Sequence, residues 1–292
     1  MDDEGRLDPE IAGHYAVVPE RERLADAGNL ERVRTWELLT RHLPGPPAVV
    51  LDVGGGAGVY ALPLAARGHQ VHLVDPVALH VEQALAASRE QAGAPLASAT
   101  VGDARRLDQP DAGVDAVLLL GPLYHLTERA DRVRALAEAR RVVRPGGMVV
   151  AAAISRFAST VDGLARGRLD EPGFAAIVER DLSDGQHRNP THRPEWFTTA
   201  YFHLPDELAT EVADAGLRLR ALLAVEGVGE FAADAAERLA APDRRERLLE
   251  VVRRVEAEPS LLGASPHILA IAAADPAQIE TVTPAPDSSA RR

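Results

Sequence analysis

The run Ala48-Val49-Val50-Leu51-Asp52-Val53, opening into Gly54-Gly55-Gly56-Ala57-Gly58, constrains this chain more than any other segment. A short apolar run before a glycine cluster reads as a buried parallel strand feeding a tight turn. Residues 59–67 follow as a helix closed by Gly68. Such a turn sets backbone N–H groups and a helix N-terminus at the carboxyl edge of a sheet, where open α/β folds bind their ligands. The alternation then repeats. Strands are expected over 70–75, 96–101, 115–120 and 148–154, with helices over 77–91 and 129–143. Strand–helix alternation at this spacing means right-handed βαβ units and a doubly wound, mostly parallel sheet.

After Ile154 the rhythm breaks for some fifty residues that collect Phe157, Phe174, Trp196, Phe197, Tyr201 and Phe202 together with His187, His192 and His203. It resumes with a helix over 205–215 and strands over 217–225 and 267–272. The expected organisation is a helical leader (1–47), a ligand-binding core (48–154), a substrate lid (155–204), a return to the core sheet (205–274) and a disordered Pro/Ala/Ser/Thr-rich tail (275–292).

Composition removes several chemistries. The 292 residues contain no Cys, which excludes disulfides, thiolate nucleophiles, zinc–thiolate sites and iron–sulfur clusters. All 32 basic residues are Arg, so Schiff-base chemistry and a Walker lysine are also excluded. A net charge of −12 repels phosphate backbones and anionic membranes, so nucleic acid and membrane partners are not expected. The acidic start lacks an apolar signal segment, and the expected location is cytoplasmic.

Three acids bear on the ligand. Gly56-x-Gly58-x-x-Ala61 with Asp75 about 20 residues on fits a nicotinamide fingerprint, so an NAD(P)-dependent oxidoreductase is one reading. Asp52 inside the first strand suits a ligand ammonium group, which nicotinamide cofactors lack, and Asp103 after the third strand suits an adenine amino group. A non-catalytic cofactor-binding protein on the same fold is a third reading.

Leu51 to Gly58, Asp75, Gly102-Asp103-Ala104, Asp115 to Leu120 and Arg144-Pro145-Gly146-Gly147 together resemble, in order and spacing, five motifs of the class I S-adenosylmethionine-dependent methyltransferases. The resemblance covers residues 30–154. It implies a Rossmann-like seven-stranded sheet, S-adenosyl-L-methionine as cofactor, and methyl transfer to a small-molecule acceptor at an O, N or C atom. It also implies a cofactor site of Asp52, Gly54, Gly56, Gly58, Asp75, Pro76, Asp103, Ala104 and Leu120, with Tyr15 and Arg23 of the leader closing over it. His125 follows the fourth strand as the candidate general base, beside Tyr124. Arg156, His187, Tyr201 and His203 are expected to line a lid pocket for a polar-aromatic or acidic acceptor. The histidines lack regular ligand spacing, so no metal is expected. A homodimer is compatible with the sequence but not required by it.

Overall fold

A computed structural model describes residues 8–17, 29–91 and 93–274. Arg23 and residues 275–292 lie outside these.

Strand β1 (Val49–Val53) occupies the centre of the sheet because both its faces are covered. Leu51 and Val53 enter one apolar layer with Val117, Leu119, Val149 and the helices Arg129–Val142 and Pro205–Asp214. Val50 enters the other, with Val71, Leu73, Leu118 and the helices Leu30–His42, Ala61–Ala66 and Ala78–Glu90. The period-two alternation of β1 thus feeds two cores, and it leaves Asp52 on the second face beside the strand's end.

Strands β2 (Gln70–Asp75), β3 (Ser98–Val101), β4 (Val114–Leu119) and β5 (Val143–Ser155) join β1 in the parallel order β3-β2-β1-β4-β5. The chain reverses its direction of travel across the sheet between β1 and β4, which opens a crevice at their carboxyl ends. Strands β6 (Gln186–His187) and β7 (Ala200–His203) belong to the segment after β5. Strands β8 (Arg218–Ala224) and β9 (His267–Ala273) close the far side, β9 antiparallel to both β5 and β8. Among the described residues the sheet has nine strands where seven were expected: β3-β2-β1-β4-β5-β9-β8, with β7 and then β6 added beside β5.

The segment 155–204 differs from a simple flap. It contains the helices Ala158–Arg166 and Pro172–Asp184, and its β7 extends the sheet by pairing with Ile154 and Ser155 at the tip of β5. Phe174, Ile177, Val178 and Trp196 form a small core of their own. Two of the aromatic residues concentrated there, Phe174 and Trp196, build this core, and Phe202 packs against Ile154 of β5.

Two buried ion networks hold the elements around the crevice. Arg34 donates to Val225 O and pairs with Glu37 and Glu256, which ties the helix Leu30–His42 to the C-terminal helices. Arg132 grips Glu211 through Nε and Nη2 and donates from Nη1 to the carbonyls of Leu126 and Thr127, both at 2.9 Å. That last pair anchors the short helix Pro122–His125 by its C-terminal carbonyls.

Candidate active site

A cavity of about 300 Å3 lies in the crevice between β1 and β4. Its floor is the glycine turn. Gly54 has φ +70°, and a Cβ there would meet Pro122 Cδ at 2.8 Å, so a side chain is excluded both by conformation and by the close approach of the next loop. At Gly55 a Cβ would strike Asp52 Oδ2 at 2.8 Å. Gly58 does not line the cavity; it brings the turn against Leu62 and Ala84, a packing role.

Asp52, 1 % exposed, reaches the cavity wall with neither carboxylate oxygen hydrogen-bonded. Burial, reinforced by the charge of Asp75, pushes its pKa up to about 7. A buried carboxyl without partners is costly unless a ligand supplies one. Asp75 is the opposite case. It accepts from the N–H of Gly56 and of Val77, both at 2.9 Å, and His80 Nδ1 lies 3.1 Å away. The acid at the end of β2 thereby holds the glycine turn and the next helix in place. Asp103 is bound bidentately by Arg105, which also reaches Asp131.

Tyr15, Asp52, Gly54, Gly56, Asp75, Pro76, Asp103, Ala104, Leu120, Tyr124 and His125 all line this one cavity. Tyr15 comes from the leader helix Pro9–Val17, whose Oη stands 2.7 Å from His125 Nε2. The His125 ring sits edge-on to Tyr15 and Tyr124 and beside Phe197. This desolvation pushes its pKa down to about 4, with a backbone contact at Thr199 working against the shift. A base so far below neutrality accepts protons weakly. The ring expected as a base is held neutral and weakly basic here, and its Nε2 contact latches Tyr15 over the cavity.

The latch has a sign in pH. Burial favours neutral imidazole, so the fold loses stability as pH falls from the ordinary histidine value of 6.5 toward 4. We expect the difference in unfolding free energy between wild type and His125→Asn to shrink by on the order of 1–2 kcal/mol over that range. Urea denaturation at pH 7 and pH 4.5 measures it; a difference independent of pH would remove His125 from the latch.

Arg156, His187, Tyr201 and His203, expected to line an acceptor pocket, lie away from this cavity. No residue of 155–204 lines the cavity. Arg156 donates to Phe202 O and to both oxygens of Glu207. Tyr201 stacks under Arg132, with 3.7 Å between guanidinium and ring centre, and donates to Glu207. His187 has Nδ1 on Asp181 and Nε2 on Trp196 O, and its ring stacks on Phe202. His203 Nε2 lies 3.2 Å from Glu211 in the buried Arg132 network. Except for His187, these side chains secure the insertion to the core, because buried polar groups must find partners and here find them on the helices Arg129–Val142 and Pro205–Asp214.

Sequence reasoning missed the cavity residues Glu31, Thr35, His80, Arg105 and His267. His80 follows Asp75 by five residues on the next helix, a spacing legible in principle. Glu31 and His267 meet only in the folded chain.

Comparison with known proteins adds an independent line. Residues 50–147 match the family described as "Methyltransferase domain". The chain is 34% identical over 178 residues to a demethylmenaquinone methyltransferase of Deinococcus radiodurans, covering 60% of this chain and 69% of that enzyme. It is 28% identical over 200 residues to a tRNA 5-carboxymethoxyuridine methyltransferase of Escherichia coli, covering 65% of this chain and 74% of that one. Among solved structures, a methyltransferase of Thermotoga maritima described as a possible histamine N-methyltransferase superposes with a TM-score of 0.56 at 17% identity, covering 91% of this chain and all of that one.

The cavity suits S-adenosylmethionine. Asp52 is an unsatisfied acid able to take its ammonium group, Asp75 and Asp103 stand at the ends of β2 and β3 where its ribose and adenine would reach them, and the glycine turn leaves room for the ligand against the chain. The bound cofactor supplies an electrophilic methyl group. The relatives are named for that same chemistry, and with the sequence match, the fold and the cavity in agreement, the chain belongs to the class I S-adenosylmethionine-dependent methyltransferases.

Proposed function

We propose that this methyltransferase acts on a small, uncharged or cationic acceptor of the aromatic hydroxyl, amine or acidic-carbon type, and not on an anionic one. One observation carries the reading. The described residues lining the cavity contribute seven carboxylates, Glu31, Asp52 and Asp75 among them, against one guanidinium, Arg105, already committed to Asp103 and Asp131. A carboxylate or phosphate entering that cavity meets a lining with many more acidic than basic side chains. A quinone-type ring, as in the name of the Deinococcus relative, meets the condition. The tRNA reading of the other relative is disfavoured by the same cavity and by the net charge of −12.

On this reading the protein's share of catalysis is to hold acceptor and methyl donor in line and away from water, an arrangement potentially worth several kcal/mol. The Tyr15–His125 contact closes one side and the glycine turn forms the floor. Transfer from radiolabelled S-adenosylmethionine should proceed at least about tenfold better, as kcat/KM, to neutral hydroquinones, phenols or amines than to matched carboxylated or phosphorylated analogues. Preferred turnover of an anionic analogue, or of tRNA, would overturn the proposal. Among the described residues no helix is long and apolar enough to cross a membrane.

A further inference from the structure

The β5–β9–β8 side of this cavity carries an imidazole that sequence reasoning passed over. His267 opens β9 opposite Ile154, and because β9 runs antiparallel to β5, its first residue lies at the same sheet edge as the cavity. It lines that cavity with Ala152, Val225 and Leu269, on the β5–β9–β8 side. Its Nδ1 lies 2.6 Å from Glu226 Oε1. Glu226, 3 % exposed, is itself locked: its Oε2 accepts from Ser265 Oγ at 2.9 Å and from the His267 backbone N–H at 3.0 Å. Gly227 N–H donates to Ser265 Oγ at 3.0 Å, which secures the corner behind it.

A carboxylate fixed on Nδ1 sets the tautomer of the ring and assigns the proton-accepting role to Nε2. Nothing comparable surrounds His125, whose Nε2 is engaged by Tyr15 and whose environment disfavours protonation. Among the described residues, acidic groups face His267. Glu31, from the helix Leu30–His42, lies with its carboxylate within 4.8 Å of the Glu226 and His267 ligating atoms, and Glu230, in the turn after β8, interacts electrostatically with both. Negative charge around an imidazole favours the imidazolium that proton uptake creates.

We propose that His267 is the general base of methyl transfer and that Glu226 is its positioning residue. This rests on the acceptor reading above, since an aromatic hydroxyl, an ammonium or an acidic carbon each loses a proton on methylation. As the acceptor atom bonds to the methyl carbon, the carbon–sulfur bond breaks with its electron pair going to sulfur, and the acceptor's proton passes to His267 Nε2.

The test uses the full chain with three readouts. With 1,4-naphthohydroquinone and 4-aminophenol as probe acceptors, His267→Asn is expected to lower kcat about 100-fold while S-adenosylhomocysteine affinity stays within about twofold. Glu226→Gln, which removes the charge favouring imidazolium, is expected to move the acidic limb of kcat/KM to lower pH. Independently of any acceptor, the His267 ring titration followed by NMR in the S-adenosylhomocysteine complex is expected to move to lower pH in Glu226→Gln. Wild-type kcat in His267→Asn overturns the base. An unmoved His267 titration overturns the pair even if no probe is methylated, whereas failure of the probes with an intact titration shift counts against the acceptor reading alone. Stoichiometric Mg2+ or Zn2+ binding that His267→Asn abolishes would reassign the cluster to a cation and also overturn the proposal.

Discussion

Asp52→Asn is expected to weaken S-adenosylhomocysteine binding by about 30- to 100-fold while making the ligand-free protein more stable above pH 7. The two effects share one cause. In the ligand-free fold the Asp52 carboxyl is buried with no hydrogen-bond partner beside the charge of Asp75, and its pKa stands near 7. Above that pH the fold carries an unpaired buried charge, and an isosteric amide removes it, for a gain on the order of 2 kcal/mol. The fold holds a proton that the unfolded chain has already released, so this group's contribution falls as pH rises from the ordinary carboxylate range to about 7 and stays low above it. The cofactor's ammonium group reverses the balance by pairing with the ionised acid, a charge-assisted interaction worth about 2–3 kcal/mol. Calorimetric titration with S-adenosylhomocysteine at pH 6 and pH 8 should show tighter binding at pH 8 in wild type and little pH dependence in the variant. Equal affinity of the two proteins would remove Asp52 from the cofactor site.

Asp75→Ala should be damaging on both counts. Its carboxylate is the acceptor for Gly56 N–H, Val77 N–H and His80, all in or beside the turn that shapes the cavity. Truncation leaves those donors without a partner, at about 1–3 kcal/mol for each that stays buried. It also releases Gly56, whose φ of +56° is held by that contact. We expect a loss of about 3 kcal/mol in urea denaturation, and at least tenfold weaker binding of S-adenosylmethionine beyond any shift explained by unfolding. Asp75→Asn separates the effects, because the amide oxygen still accepts from part of this set. Full cofactor affinity in Asp75→Ala would show that the acid only braces the turn.

The two acids behave differently although both were legible from their places at strand ends. Asp52 is poor in partners and Asp75 rich in them, and this difference depends on the Gly56 amide and the His80 ring, which the fold brings together around β2. The same holds for the histidines. His125 was readable as a candidate base from its place after β4, yet desolvation by Tyr15, Tyr124 and Phe197 changes what its ring can do. The aromatic concentration over 155–204 suggested a lined pocket, but a segment of that length needs an interior. Phe174 and Trp196 supply it.

From the sequence alone one could read the parallel sheet, the glycine turn and the acids that line the cavity. Those features are local: a strand, a turn and a helix bring their ligand groups together within a few residues, and backbone geometry does the rest. Only the tertiary structure decided which distant side chains share the cavity. Tyr15 meets His125 across 110 residues, Glu226 meets His267 across 41, and Arg156 and His203 are drawn away into contacts with Glu207 and Glu211. Such meetings are set by how whole elements pack, and a buried charge takes whichever partner that packing delivers.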